Sequence, residues 1–181
     1  MSITSAKSGA TGISLALDNN FMEPIASTLV GSGGANTVIF NDIPQGYKHL
    51  QIRCLAKNNT GIYWVITQFN SDASAAYSYH DIYADGASVG AEGYANKSEC
   101  NTFLTSSTQF GVGVVDILDY SNTNKYKTLR SIGGYDANGS GYVTISSIGW
   151  RGTAPITSIK LYSYISNFTQ YSRFSLYGIK G

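Results

Sequence analysis

NTNKYKTLRSIGGYDANGSGYVTISSIGW, residues 122–150, is the stretch on which the fold reading turns. Two strand-like runs, 126–132 and 142–150, flank a polar connection rich in glycine. In the second run Tyr142, Thr144, Ser146, Ile148 and Trp150 fall on one face, and Val143, Ile145 and Ser147 on the other. That period of two belongs to a strand and not to a helix. Gly133-Gly134 and Asn138-Gly139-Ser140-Gly141 tolerate positive φ, so the chain can reverse between the runs. The segment reads as a β-hairpin with a long polar tip. The last strand-like run, 173–179, is expected to pair near it and close the sheet.

Strand signals continue on the N-terminal side of the hairpin. Residues 22–30 (MEPIASTLV) read as a strand that Pro24 confines to an edge or a strand start. A short run at 36–40 follows a glycine turn. In 47–57, Leu50, Ile52, Cys54 and Ala56 alternate inward against His49, Gln51, Arg53 and Lys57. Residues 62–69 are apolar on both faces, as in the middle of a sheet. Residues 77–84 place Tyr77, Tyr79, Asp81 and Tyr83 on one side. Residues 110–120 put Val112, Val114 and Leu118 on the face shared by Asp116, and 156–162 reads as another strand. Segment 85–108 shows no long period and is expected to be an extended loop. No amphipathic helix and no fixed-period repeat appears. The expectation is an all-β fold: a jelly-roll-like two-sheet antiparallel sandwich of roughly 8–10 strands, which suits the length better than an immunoglobulin sandwich. It occupies residues 21–181 as a single domain. Residues 1–20, rich in Ser, Gly, Ala and Thr, form an expected N-terminal arm in which Ile13, Leu15 and Leu17 alternate weakly and would contact a neighbouring subunit. The competing reading of the same stretch is an edge strand behind a frayed terminus.

Composition narrows the function classes. Charged residues make up 13% of the 181-residue chain, about half the usual share, and Tyr, Ser, Thr, Asn and Gly fill the surface instead. A formal net charge of +1, with the basic residues scattered, argues against a nucleic-acid partner. No apolar run of about 18 residues is present to span a membrane as a helix, and no basic region followed by an apolar core announces a secretory leader. Cys54, alternating with Leu50 and Ile52, reads as a small buried hydrophobe rather than as half of a disulfide with Cys100.

Few residues recommend themselves for chemistry. Asp136-Ala137-Asn138-Gly139-Ser140-Gly141 matches the start of a calcium loop, but position twelve is Ser147 rather than Glu, and a strand follows instead of a helix. A plain turn explains the same residues. Asp116 and Asp119, three apart on a strand, point to opposite faces and cannot act as a glycosidase pair. His49 and His80 lack metal-ligand spacing, and no nucleophile elbow or phosphate loop appears. No enzyme activity, cofactor or metal is expected. Tyr77, Tyr79 and Tyr83, with Tyr94 from the expected loop, are the candidate partner- or glycan-contact residues; packing at a sheet edge or subunit interface is the plainer explanation.

The phrases MEPIASTLVGSG (22–33), IPQGYKHLQIR (43–53), SNTNKYKTLRSIGGYDANGSG (121–141), WRGTAPITSIKLY (150–162) and SRFSLYGIKG (172–181) resemble a family of tailed-bacteriophage virion structural proteins. The resemblance runs in order over most of the chain and implies a β fold, membership of a virus particle, no reaction and no cofactor. The expected function is that of a capsid decoration (cement) protein on the outer surface of the virion head. It would be a homotrimer that binds the major capsid protein and other virion proteins, with no nucleic-acid or membrane partner. The alternative is a tail or fibre component that binds host surface glycans.

Overall fold

Alternation becomes twelve antiparallel strands in the computed structural model, which describes residues 21–181. Ile13, Leu15, Leu17 and the rest of the expected arm lie outside the described residues. The strands are β1 (Met22–Leu29), β2 (Thr37–Phe40), β3 (His49–Ala56), β4 (Ile62–Phe69), β5 (Tyr77–Ala84) and β6 (Val89–Lys97), then β7 (Cys100–Ser106), β8 (Gly111–Leu118), β9 (Lys127–Asp136), β10 (Gly141–Trp150), β11 (Ile159–Ser163) and β12 (Arg173–Ile179). Eight form one sheet, in the order β1-β12-β3-β8-β9-β10-β5-β6, and four form the other, in the order β2-β11-β4-β7.

Leaving out the hairpins β5–β6 and β9–β10, the remaining strands pair as β1-β12-β3-β8 and β2-β11-β4-β7. The first strand lies beside the last, the second beside the next to last, and the chain switches sheet at each step except from β4 to β7. That is jelly-roll topology, as expected from the strand spacing. The two hairpins are insertions. They continue the large sheet past the edge of the small one, so β5–β6 overhangs.

Core packing follows the alternation. Leu50, Ile52, Cys54 and Ala56 of β3 are buried together with Val115 and Ile117 of β8, and with Phe174 and Leu176 of β12. In β8 the core positions are therefore Gly111, Gly113, Val115 and Ile117, and the face carrying Val112, Val114, Asp116 and Leu118 points outward. Gly113 is required there: a Cβ would sit 2.5 Å from the Phe103 ring that fills its place. At the far end Phe69, Tyr77 and Trp150 cluster, with Phe69 and Trp150 ring centres 5.6 Å apart. Lys127 is fully buried beside them, its Nζ 5.9 Å from the Trp150 ring. That ammonium donates to the carbonyls of Asn122 (2.6 Å), Lys125 (3.2 Å) and Thr153 (3.2 Å), which ties two loops to the start of β9.

Several expectations are corrected. Segment 85–108 contains β6 and β7 rather than an extended loop, so twelve strands replace the roughly ten expected. Its pattern hid because β6 (VGAEGYANK) is largely exposed, while β7 (CNTFLTS) buries its polar residues on backbone partners. Thr102 Oγ1, for instance, donates to the Val65 carbonyl at 2.7 Å. β9 runs on to Asp136, so Gly133 and Gly134 lie within the strand and the hairpin tip shrinks to residues 137–140. The terminal strand β12 pairs with β1 and β3, not beside the hairpin.

Candidate functional site

The overhang of β5–β6 faces the edge of the small sheet across a groove of about 670 Å³. Antiparallel register sets one wall: Tyr79 stands opposite Tyr94, Asp81 opposite Glu92, and Tyr83 opposite Gly90. Trp64 opposite Leu104, and Ile66 opposite Asn101, supply the wall from β4 and β7. Ile66 and Leu104 are buried but stand apart from the main core cluster, so this face of the small sheet looks into the groove. Tyr142 from β10 and Tyr164 from the loop after β11 complete the rim.

The rings are locked by their neighbours. Tyr79 and Tyr94 pack with centres 5.1 Å apart, and Tyr83 and Tyr142 with centres 6.4 Å apart. Tyr83 lies flat across β6 because residue 90 is glycine; a Cβ there would come within 2.3 Å of the ring. Glu92 is clamped from both sides. Its Oε1 accepts from the Tyr83 hydroxyl at 3.2 Å and its Oε2 from the Tyr94 hydroxyl at 3.0 Å. The carboxylate charge in turn holds both phenols above their ordinary pKa, since each would lose a favourable hydrogen bond by ionising beside an anion. Burial raises Tyr79 as well. Lys97 places its ammonium 4.8 Å from the centre of the Tyr94 ring. Beneath the wall, Asp81 is buried, with Oδ2 accepting from Asn101 Nδ2 at 3.2 Å and Oδ1 without a partner. Desolvation raises its pKa.

Of the four tyrosines singled out in the sequence, three meet here and one does not. Tyr79, Tyr83 and Tyr94 line the groove. Tyr77 is fully buried between Phe69 and Trp150, and its hydroxyl oxygen accepts the Phe69 amide at 2.8 Å. Tyr94 belongs to β6 rather than to a loop. Trp64, Glu92 and Tyr142 were not foreseen. The hairpin pattern does put Tyr142 on the face shared with Trp150, but nothing in 85–108 distinguishes Glu92 from a solvated acid.

The remaining candidates resolve into structure. At the hairpin tip Asp136 Oδ1 accepts the Asn138 amide at 2.7 Å, and the Ala137 amide donates to the Ser140 carbonyl at 2.7 Å, the bonds of a turn. Asp116 accepts from Gln51 Nε2 at 2.7 Å. Lys125 and Lys48 hold the Asp119 carboxyl below the usual carboxylate range, and His49 Nδ1 accepts the Asp119 amide at 2.9 Å. Cys54 and Cys100 are free and buried, and burial pushes both thiols up. Among the described residues no three of His, Cys, Asp and Glu come together to hold a metal.

A second surface stands out on the outer face of the large sheet. Polarity is inverted there: in β10 the inward Thr144 and Ser146 are buried, while the outward Val143 and Ile145 are exposed. Register aligns Val114, Ile132, Ile145 and Ile82 in one row across four strands. Leu55, Val112, Gly134, Val143, Ala84 and Val89 form the next row. Across six strands this band spans roughly 24 Å. Over the glycine pair Gly133-Gly134 it dips into a depression of about 680 Å³ bordered by the hairpin tip. No protein-family model, curated protein or solved structure matches the chain.

Proposed function

We propose that the chain is a non-enzymatic structural protein of a tailed-phage particle: a capsid decoration, or cement, protein that binds the assembled head shell as a homotrimer. The observation that carries this reading is the aliphatic band on the large sheet, which crosses six strands and exposes Leu55, Val112, Ile132, Val143, Ile145, Ile82 and Val89 in a chain of low charge. Contiguous apolar surface of this kind marks a protein contact rather than a solvated face. A protein that binds only the assembled shell stabilises it by mass action, in proportion to the logarithm of its concentration over Kd. The major capsid protein is the partner this reading requires, with residues 1–20 reaching to neighbouring subunits. Electron microscopy of intact particles labelled with an antibody to the chain tests it: label is expected over the whole head, and label confined to the tail refutes it.

The second reading is a tail or fibre component that binds host surface glycans. It is favoured by the tyrosine-lined groove, which combines apolar ring faces with a fixed carboxylate. The same labelling experiment separates the two by position.

A further inference from the structure

We infer that the groove under the β5–β6 overhang binds an uncharged oligosaccharide, with the Glu92 carboxylate accepting from two neighbouring sugar hydroxyls while the rings of Tyr94, Tyr83 and Trp64 cover the sugar faces. The inference rests on the glycan reading of this groove and is independent of where the protein sits on the particle.

Four features select that ligand class. A sugar presents C–H faces that pack on aromatic rings and a rim of hydroxyls that need fixed polar partners, and the groove pairs these in one place. An ionised carboxylate has about four acceptor sites. The Tyr83 and Tyr94 hydroxyls use one on each oxygen of Glu92, which leaves each oxygen able to accept a further hydroxyl while the group stays rigidly aimed. Charge then excludes the anionic alternatives. Glu92 and Glu99 stand in the groove against the single ammonium of Lys97, so a phosphate, a sialic acid or a nucleic acid meets net repulsion. An organic cation meets a competitor already in place, because Lys97 holds its ammonium over the Tyr94 ring that such a cation would seek. Finally, the volume lies within the range of small-ligand sites and exceeds that of a single sugar ring. Because the Tyr83 and Tyr94 rings and the carboxylate are held before any ligand arrives, little of their conformational entropy is lost on binding.

The test titrates the full chain with neutral oligosaccharides of glucose, galactose, mannose and N-acetylglucosamine, with sialylated and phosphorylated oligosaccharides, and with tetramethylammonium. Calorimetry and tryptophan fluorescence are read together; Trp64 reports the groove, and Trp150 in the core is a constant background. At least one neutral oligosaccharide is expected to bind and to shift the fluorescence. Tyr94→Ala, at a partly exposed ring, is expected to weaken that binding by about tenfold. Glu92→Gln, which keeps the shape, is expected to weaken it by at least about tenfold, since charge-assisted hydrogen bonds are lost. Melting temperatures of both variants identify any loss due to misfolding. Equal affinity in the parent and both variants overturns the inference. Binding confined to anionic oligosaccharides overturns it and leaves the glycan reading standing. Binding of tetramethylammonium alone, or of nothing on the panel, overturns both.

Discussion

Placing one carboxylate in the middle of the aliphatic band separates shell binding from folding. Val112, Ile132, Ile145, Ile82 and Val143 are each half or more exposed, so each has about half of its side-chain transfer free energy still unrealised. With about 1.5–3 kcal/mol for full burial of such a side chain, the remainder is about 0.8–1.5 kcal/mol each, or about 4–7 kcal/mol for the five. As an upper bound, that is roughly a 10³- to 10⁵-fold contribution to affinity. Ile145 sits at the centre, flanked in register by Ile132 and Ile82. Ile145→Asp removes about 1 kcal/mol of that gain and adds the desolvation of an unpaired charge, which costs several kcal/mol more. Affinity for the shell is therefore expected to fall by at least about 100-fold. Since half of the Ile145 side chain is already covered in the isolated domain and β10 is a central strand, stability is expected to fall by about 1–2 kcal/mol, or about 2–8 °C in Tm, with the domain still folded. Co-sedimentation of the variant with particles stripped of the protein measures the first, and calorimetry the second. Ile39→Asp, at an exposed position on β2 of the small sheet, serves as the control and is expected to bind like the parent. If Ile145→Asp sediments with shells at the parent's affinity, the outer face of the large sheet is not the docking surface.

Three further perturbations probe other parts of the argument. Deleting residues 1–20 is expected to weaken shell binding and leave the melting temperature of the domain unchanged; undiminished binding removes the arm from the account. Lys127→Met keeps the buried stem but strips three carbonyls of their charged donor, so a loss of about 1–3 kcal/mol is expected in urea unfolding, and undiminished stability refutes the clamp. Asp81→Asn is expected to stabilise the protein at neutral pH. Burial raises the folded-state pKa of Asp81, so the folded protein holds this proton more tightly than the unfolded chain does. Its contribution to stability is therefore present below the ordinary carboxylate pKa and is lost as pH rises through the raised value. Melting curves between about pH 4 and pH 8 are expected to diverge in favour of the variant as pH rises, and parallel curves refute the assignment.

How much of this was legible in sequence depended on whether a strand's two faces differ in polarity, and in which sense. β3 was readable to the residue, because Leu50, Ile52, Cys54 and Ala56 face the core while Gln51 and Arg53 face outward. β10 gave its period but not its sides. Thr144 and Ser146 point inward, where the Ser146 hydroxyl donates to the Thr102 carbonyl at 3.2 Å, and Val143 and Ile145 point outward, so polarity alone names the wrong face as the core. That inversion has a physical cause. β7 crosses this part of the large sheet and presents Thr102, a backbone-rich and polar partner that hydroxyls of Ser131 and Ser146 satisfy better than methyl groups would. The same inversion frees aliphatic side chains for the outer face, so the stretch that was hardest to orient from sequence is also the one that builds the aliphatic band. The groove was half legible for a related reason. A row of alternating tyrosines marks one wall of any site, but the opposite wall comes from β4 and β7, brought there only by the sheet switching of the jelly roll. Tyr77 shows the limit most directly. It has the same parity as Tyr79 and Tyr83, yet it is wholly within the core, while Tyr79 borders both core and groove and Tyr83 lines the groove alone. What separates them is position along β5: Tyr77 stands opposite Trp150 and packs on Phe69, whereas Tyr83 stands opposite Thr144 and meets Tyr142, and those partners come from other strands rather than from any residue within β5.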